Sequence, residues 1–135
     1  MMYLVDSTIY IGLLRARRDP VQVLRPWLAR DEVLASGVVR CEVLRGIVDR
    51  RVHERMSELF EVLPTVRTDD PMWNRTAELA WSLDRRGVVL PVTDLLIASC
   101  ALRAGATVVS TDEHFRRVPE LTVLRALPTA SEPAG

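Results

Sequence analysis

The chain has 135 residues, 48% of them apolar and 27% charged, with 18 basic side chains balanced by 18 acidic ones. That length predicts one domain with a single ordinary core, and no apolar run reaches the roughly 18 residues of a membrane span. Net neutrality excludes a protein that coats nucleic acid electrostatically, and because every basic residue is arginine, P-loop and Schiff-base lysine chemistry are excluded as well.

The N-terminal stretch MMYLVDSTIYIGLLRARR has neither a basic leader nor a small-residue cleavage site, so a cytoplasmic location is expected. Residues 2–5 form a short apolar strand ending at Asp6, with Ser7 and Thr8 behind it. The pattern then turns helical, with Ile9, Leu13 and Ala16 on one face. Pro20 starts a second helix, weakened in its middle by Pro26. Residues 32–35 read as a short strand, Ser36 and Gly37 as a break, and residues 38–48 as a helix with Val39, Val43 and Ile47 in one stripe. Glu42 sits on the shoulder of that stripe, an unusual place for an acid without a partner.

The helix continues or restarts through residues 49–63, where Val52, Met56, Leu59 and Phe60 point inward. Its acids and arginines read as a solvated face, and His53 with them. Residues 63–66 suggest a strand that Pro64 marks as an edge or irregular one. Asp69 or Asp70 caps the next helix, with Pro71 at its start. That helix carries Trp73, Ala77, Ala80 and Trp81 on one stripe; core packing is the expectation, and base stacking would require the indoles to be exposed. Gly87 ends it.

Thr93 is the expected N-cap of a further helix, with Asp94 in its first turn and Ile97, Ala98, Ala101 and Leu102 on the same face. Gly105 terminates that helix, residues 106–109 are a buried-type strand, and Ser110, Thr111 and Asp112 follow directly. Phe115 and Val118 suit a short helix, and residues 121–124 a last strand. The Pro-, Ala- and Ser-rich residues 128–135 are expected to form a flexible tail after a domain of residues 1–127. Cys41 and Cys100 read as buried reduced thiols, since there is no CxxC and no neighbouring histidine.

Alternating strands and helices predict an α/β fold: a mainly parallel sheet with helices on both faces. In such sheets ligands bind beyond the carboxyl ends of the strands, where strand order reverses. Asp6 and Asp112 follow strands, whereas Glu42 and Asp94 lie in or near first turns of helices that begin on that edge. Taken singly, Asp94 could serve only the helix dipole and Asp112 only as a cap. Four acids meeting in one cleft repel one another unless a divalent cation fills it.

Four stretches carry a resemblance: LVDSTIYI with Asp6, VRCEVLRG with Glu42, VTDLLIASCAL with Asp94, and STDEHF with Asp112. Together, in this order and over nearly the whole length, they resemble the PIN-domain family, and within it the VapC-type toxins. The family's last motif has Thr two residues before the Asp; here Ser110 holds that place and keeps the hydroxyl. The resemblance implies a three-layer PIN-like fold with a five-stranded sheet, and a magnesium- or manganese-dependent ribonuclease. It also implies a protein antitoxin as partner and, often, a homodimer. The helices between Glu42 and Leu63 are compatible with an antitoxin-binding surface.

Phosphodiester hydrolysis among carboxylates needs a cation to neutralise substrate, lower the pKa of water and stabilise the leaving oxygen. His and Cys are too few for zinc. Asp6 and Asp94 are the expected principal ligands of Mg2+ or Mn2+. Glu42 and Asp112 would complete the site directly or through water, and Ser7, Thr8 and Ser110 would hydrogen-bond the carboxylates. His114 reads as a surface turn residue. A phosphoacceptor receiver domain would need a lysine, and a haloacid-dehalogenase-like phosphatase an Asp-x-Asp after the first strand; neither is present. A non-catalytic PIN-like module binding RNA or protein is the alternative.

Overall fold

The computed structural model describes residues 1–128. In chain order the elements are β1 (Tyr3–Val5), α1 (Ser7–Arg15), α2 (Pro20–Ala29), β2 (Val33–Leu34), α3 (Gly37–Arg45) and α4 (Arg50–Val62). They are followed by α5 (Asp70–Arg85), α6 (Val92–Ala104), β3 (Thr107–Val109), a 3-10 turn (Glu113–Arg117) and β4 (Val123–Leu124). The expected flexible tail lies outside the described residues, apart from Pro128.

The strands pair in parallel in the order β2-β1-β3-β4, with Leu4 beside Leu34 on one side and beside Val108 on the other. Parallel strands need crossovers, so every connection carries helices. Leu4, Val5, Val108 and Val109 are fully buried, as central strands covered on both faces must be. The order reverses between β1 and β3, and Asp6 and Ser110 are the first residues beyond those two strands. That crevice is where such a sheet accepts a ligand.

The expected fifth strand is reduced to one bridge, Ala35 to Thr65, closed by Ala35 N to Pro64 O and Val66 N to Ala35 O, both at 2.9 Å. Pro64 has no N–H to extend the ladder, so the described residues form a four-stranded sheet. Helix α6 is buried through Leu95, Leu96, Ile97, Ala98, Ser99, Cys100 and Ala101, as a helix apolar on all sides must be. Ser99 satisfies its hydroxyl by donating to Leu95 O at 2.9 Å. Gly105 closes the helix with φ +64°, a conformation glycine adopts without steric cost. The N-cap of α6 is Pro91 rather than Thr93, because Leu95 N already donates to Pro91 O at 3.1 Å.

Two further expectations are corrected. On α5 the buried line is Met72, Thr76 and Leu83, one residue out of step with the tryptophan stripe, and Trp73 and Trp81 face solvent. Thr76 enters the core because its hydroxyl donates to Met72 O at 2.8 Å, which hides a polar group that periodicity alone counts as outward. Cys41 is exposed on the face of α3 away from Val39 and Val43, and Cys100 is buried.

Asp69 caps α5 through Met72 N at 3.0 Å and receives a forked pair from Arg103 near the end of α6, at 2.8 and 3.0 Å. The two helices therefore lie antiparallel with their far ends tied. Arg103 is the main reason the Asp69 carboxyl is held down at about 2. A depressed carboxyl contributes stability that is fully present above about pH 4 and is lost as pH falls through its folded value. Asp69→Ala is therefore expected to lower the melting temperature more than Asp49→Ala, which removes only the cap of α4. The gap between wild type and Asp69→Ala should close between about pH 4 and 2, as read by thermal melts across that range.

Candidate active site

Asp6 occupies the N-cap position of α1 with extended backbone, φ −74° and ψ 159°. A capping carboxylate turns onto the free amides of its helix, yet this one makes no such bond. Its Oδ2 instead accepts from Ser110 Oγ at 2.7 Å and from Thr8 Oγ1 at 2.9 Å. Asp6 is 3% exposed, and a buried carboxylate is tolerated only with donors of this kind. The two hydroxyls are themselves held: Ser110 Oγ accepts from Asp112 N at 3.0 Å, and Thr8 Oγ1 from Thr111 N at 3.2 Å. The ends of β1 and β3 are thus joined by side chains beyond the last ladder bond, Asp6 N to Val109 O at 2.9 Å.

Asp112 begins the 3-10 turn and caps it, accepting from His114 N at 2.9 Å. The same turn brings His114 Nδ1 to 2.8 Å from Asp94 Oδ2 and 3.3 Å from Asp112 Oδ1. Asp94 comes from the first turn of α6, where an acid is favoured by the helix dipole. Ligand atoms of Asp94, Asp112 and His114 all lie within 4.8 Å of one another. Glu42 approaches from α3, and Ser7 Oγ donates to its Oε1 at 3.4 Å.

The charges interact across the crevice. Burial, followed by the Asp6 and Asp94 carboxylates, pushes the Glu42 carboxyl above its ordinary value. Burial also raises Asp94; repulsion from Asp112 and Asp6 adds to this, and the bond to His114 opposes it. The His114 imidazole is raised in turn, first by its bond to Asp94 and then by the Asp112 charge. A partly desolvated group of like charges that raises its own proton affinity is what a cation site looks like to its ligands. The donor set fits one, being carboxylate oxygens with a single imidazole and hydroxyls behind them.

The PIN domain family profile matches residues 3–121, from β1 to just before β4. This chain belongs to the PIN-domain family. It is 30% identical over 132 residues to the VapC ribonuclease Mb1587 of Mycobacterium bovis, a match covering 93% of this chain and 97% of that protein, which sets it in the VapC branch. Its fold is similar to VapBC2 from Rickettsia felis bound to a DNA fragment from their promoter, with a TM-score of 0.73 at 23% identity over 91% of this chain and 97% of that one. A toxin–antitoxin complex from Klebsiella pneumoniae is similar too, with a TM-score of 0.68 at 20% identity, covering 89% and 95%. At these identities the structural likeness is one of fold.

In this PIN domain the side chains of Asp6, Ser110 and Thr8 form one bonded group, Ser7 and Glu42 a second, and Asp94, Asp112 and His114 a third. The first and third are joined through Asp112 N on Ser110 Oγ. His114 keeps the surface-turn position expected of it, with its side chain 45% exposed, but has carboxylate partners in Asp94 and Asp112. The available signal was its place two residues after Asp112, where a single turn returns an imidazole to the capping carboxylate.

Ser110→Ala should be destabilising by about 1–3 kcal/mol, because it leaves a buried carboxylate one donor short and an amide without its acceptor. Ser110→Thr keeps the hydroxyl and should recover most of the loss. Urea denaturation of the three proteins measures it.

Proposed function

We propose that this PIN domain is a cytoplasmic, Mg2+- or Mn2+-dependent ribonuclease and the toxin of a toxin–antitoxin pair. The observation that carries the reading is Asp6, a buried carboxylate that forgoes its helix cap to be held beside Asp94 and Glu42 at the switch point of the sheet. The printed names of the relatives, a ribonuclease and toxin–antitoxin complexes, support it. No helix among the described residues is long and apolar enough to cross a membrane.

Asp6 and Asp94 would be the principal ligands, with Glu42 and Asp112 ligating through water or holding a second ion. Such an ion supplies charge neutralisation at the phosphate and a water of lowered pKa. The rest falls to the chain itself. Ser110 and Thr8 both bind Oδ2 of Asp6, so the carboxylate is fixed in orientation while Oδ1 has no hydroxyl on it. Glu42 accepts from Ser7 through Oε1, so a proton released by an attacking water would be taken at Oε2. His114 holds Asp94 toward Asp112 and limits their repulsion while no cation is bound.

An antitoxin needs a surface as well as a pocket. Helices α1 to α4 frame a groove of about 700 Å3 whose walls include Leu14, Val43, Ile47 and Met56; Arg15, Arg17 and Arg18 line it too, as do Asp49 and an Arg55–Asp19 pair. An amphipathic segment of the antitoxin with acidic flanks would match its apolar walls and its arginines.

Asp6→Asn and Asp94→Asn are expected to abolish metal-dependent cleavage of an RNA panel while leaving the fold intact. Saturating metal, at about a hundred times its dissociation constant, should stabilise the wild type by about 2.7 kcal/mol, and Asp94→Asn by much less. A folded, metal-replete wild type that binds RNA and cleaves none would instead be the non-catalytic module. In cells, expression of this chain alone should slow growth, Asp6→Asn should relieve the effect, and an adjacent reading frame of antitoxin size should restore growth. Ile47→Arg should stay toxic and escape that rescue; rescue equal to wild type would remove the groove from the antitoxin surface.

A further inference from the structure

His114 stands where two of the acids would share an ion. Its Nδ1 is 2.8 Å from Asp94 Oδ2 and 3.3 Å from Asp112 Oδ1, and ligand atoms of the three residues lie within 4.8 Å of one another. Two ligands at right angles on an ion with bonds of about 2.1 Å stand about 3 Å apart. The two edges that meet at Nδ1 therefore have ligand spacing before any ion arrives. A residue that only orients one ligand sits behind that ligand; this nitrogen reaches two. The turn holds it there, because His114 N donates to Asp112 Oδ1 at 2.9 Å and the neighbouring Phe115 is buried.

We propose that His114 ligates the ion of this site through Nδ1, beside Asp94 and Asp112, and so makes the site prefer Mn2+ to Mg2+. This deepens the metal-dependent reading above and rests on it. Carboxylates suit both ions. Mg2+ demands near-ideal octahedral geometry and gives up its waters reluctantly, so a fixed imidazole gains it little. Mn2+ accepts the same carboxylates and opens the series along which affinity for nitrogen donors rises. One imidazole among carboxylates therefore separates two ions that carboxylates alone would take alike. Without an ion, the same nitrogen bonds Asp94 and spans the gap to Asp112. With an ion in that place, the ligating tautomer carries its proton on Nε2. The side chain is 45% exposed, which leaves the ring room to settle between the two arrangements.

The chain has two histidines, so nitrogen coupling to bound Mn2+ can be assigned by mutation. The test loads wild type, His114→Ala, His114→Gln and His53→Ala with Mn2+ for pulsed electron paramagnetic resonance. Calorimetric titration of the same proteins with Mn2+ and with Mg2+ gives the two affinities. Imidazole coupling is expected in wild type and His53→Ala, and in neither His114 variant. His114→Ala should weaken Mn2+ binding at least about tenfold, and Mg2+ binding by much less. His114→Gln keeps a donor for Asp94 but no imidazole, so it should not restore the preference for Mn2+. If it does, or if His114→Ala weakens both ions equally, His114 only positions Asp94 and the proposal falls. Mn2+-loaded wild type without imidazole coupling overturns it too, as does a wild type that takes up no Mn2+. Coupling through His114 in a protein that cleaves no RNA would defeat the ribonuclease reading and leave the ligand standing.

Discussion

A single buried carboxylate fixes the geometry of this molecule's working edge. Asp6 sits where the sheet reverses strand order, and an ionised group there is intolerable without strong donors. Ser110 and Thr8 supply them, and each hydroxyl is in turn positioned by a backbone amide of residues 111 and 112. The loop after β3 is therefore anchored to the start of α1, and this anchor aims Asp112 and His114. The ends of β1 and β3 and the loop that carries Asp112 and His114 are thus held by one hydrogen-bonded junction.

From that junction the electrostatics follow. Asp94 and Glu42 arrive on helices that begin at the same edge, and both have raised proton affinities because burial and like charge act together. His114 is the only basic side chain bonded to these carboxylates among the described residues, and it couples two of them rather than all four. The remaining repulsion favours whatever positive group enters, whether an ion for catalysis or a basic side chain from an inhibitor. Activity and restraint can therefore compete for the same carboxylates.

The surface away from this edge divides by chemistry. The groove among α1 to α4 combines apolar walls with arginines and the acids Asp19 and Asp49, Arg55 being paired with Asp19, whereas the exposed indoles Trp73 and Trp81 lie on α5.

The sequence by itself determined the order of elements and the four acids. Short apolar runs ending in Asp6 or Ser110, and the αL stop at Gly105, are local signals that need no partner to be read. Tertiary structure alone decided which side of α5 is buried, since Met72, Thr76 and Leu83 differ from the tryptophan stripe by one position and Thr76 conceals its polarity by bonding back to Met72. It decided that Pro64 leaves a bridge instead of a strand, because the neighbouring ladder needs a donor that proline lacks. It also decided that Asp6 is not a cap and that His114 is not a bystander. Both depend on atoms from segments about 20 to 100 residues away, and distances of that kind follow from how the helices pack rather than from any residue pattern.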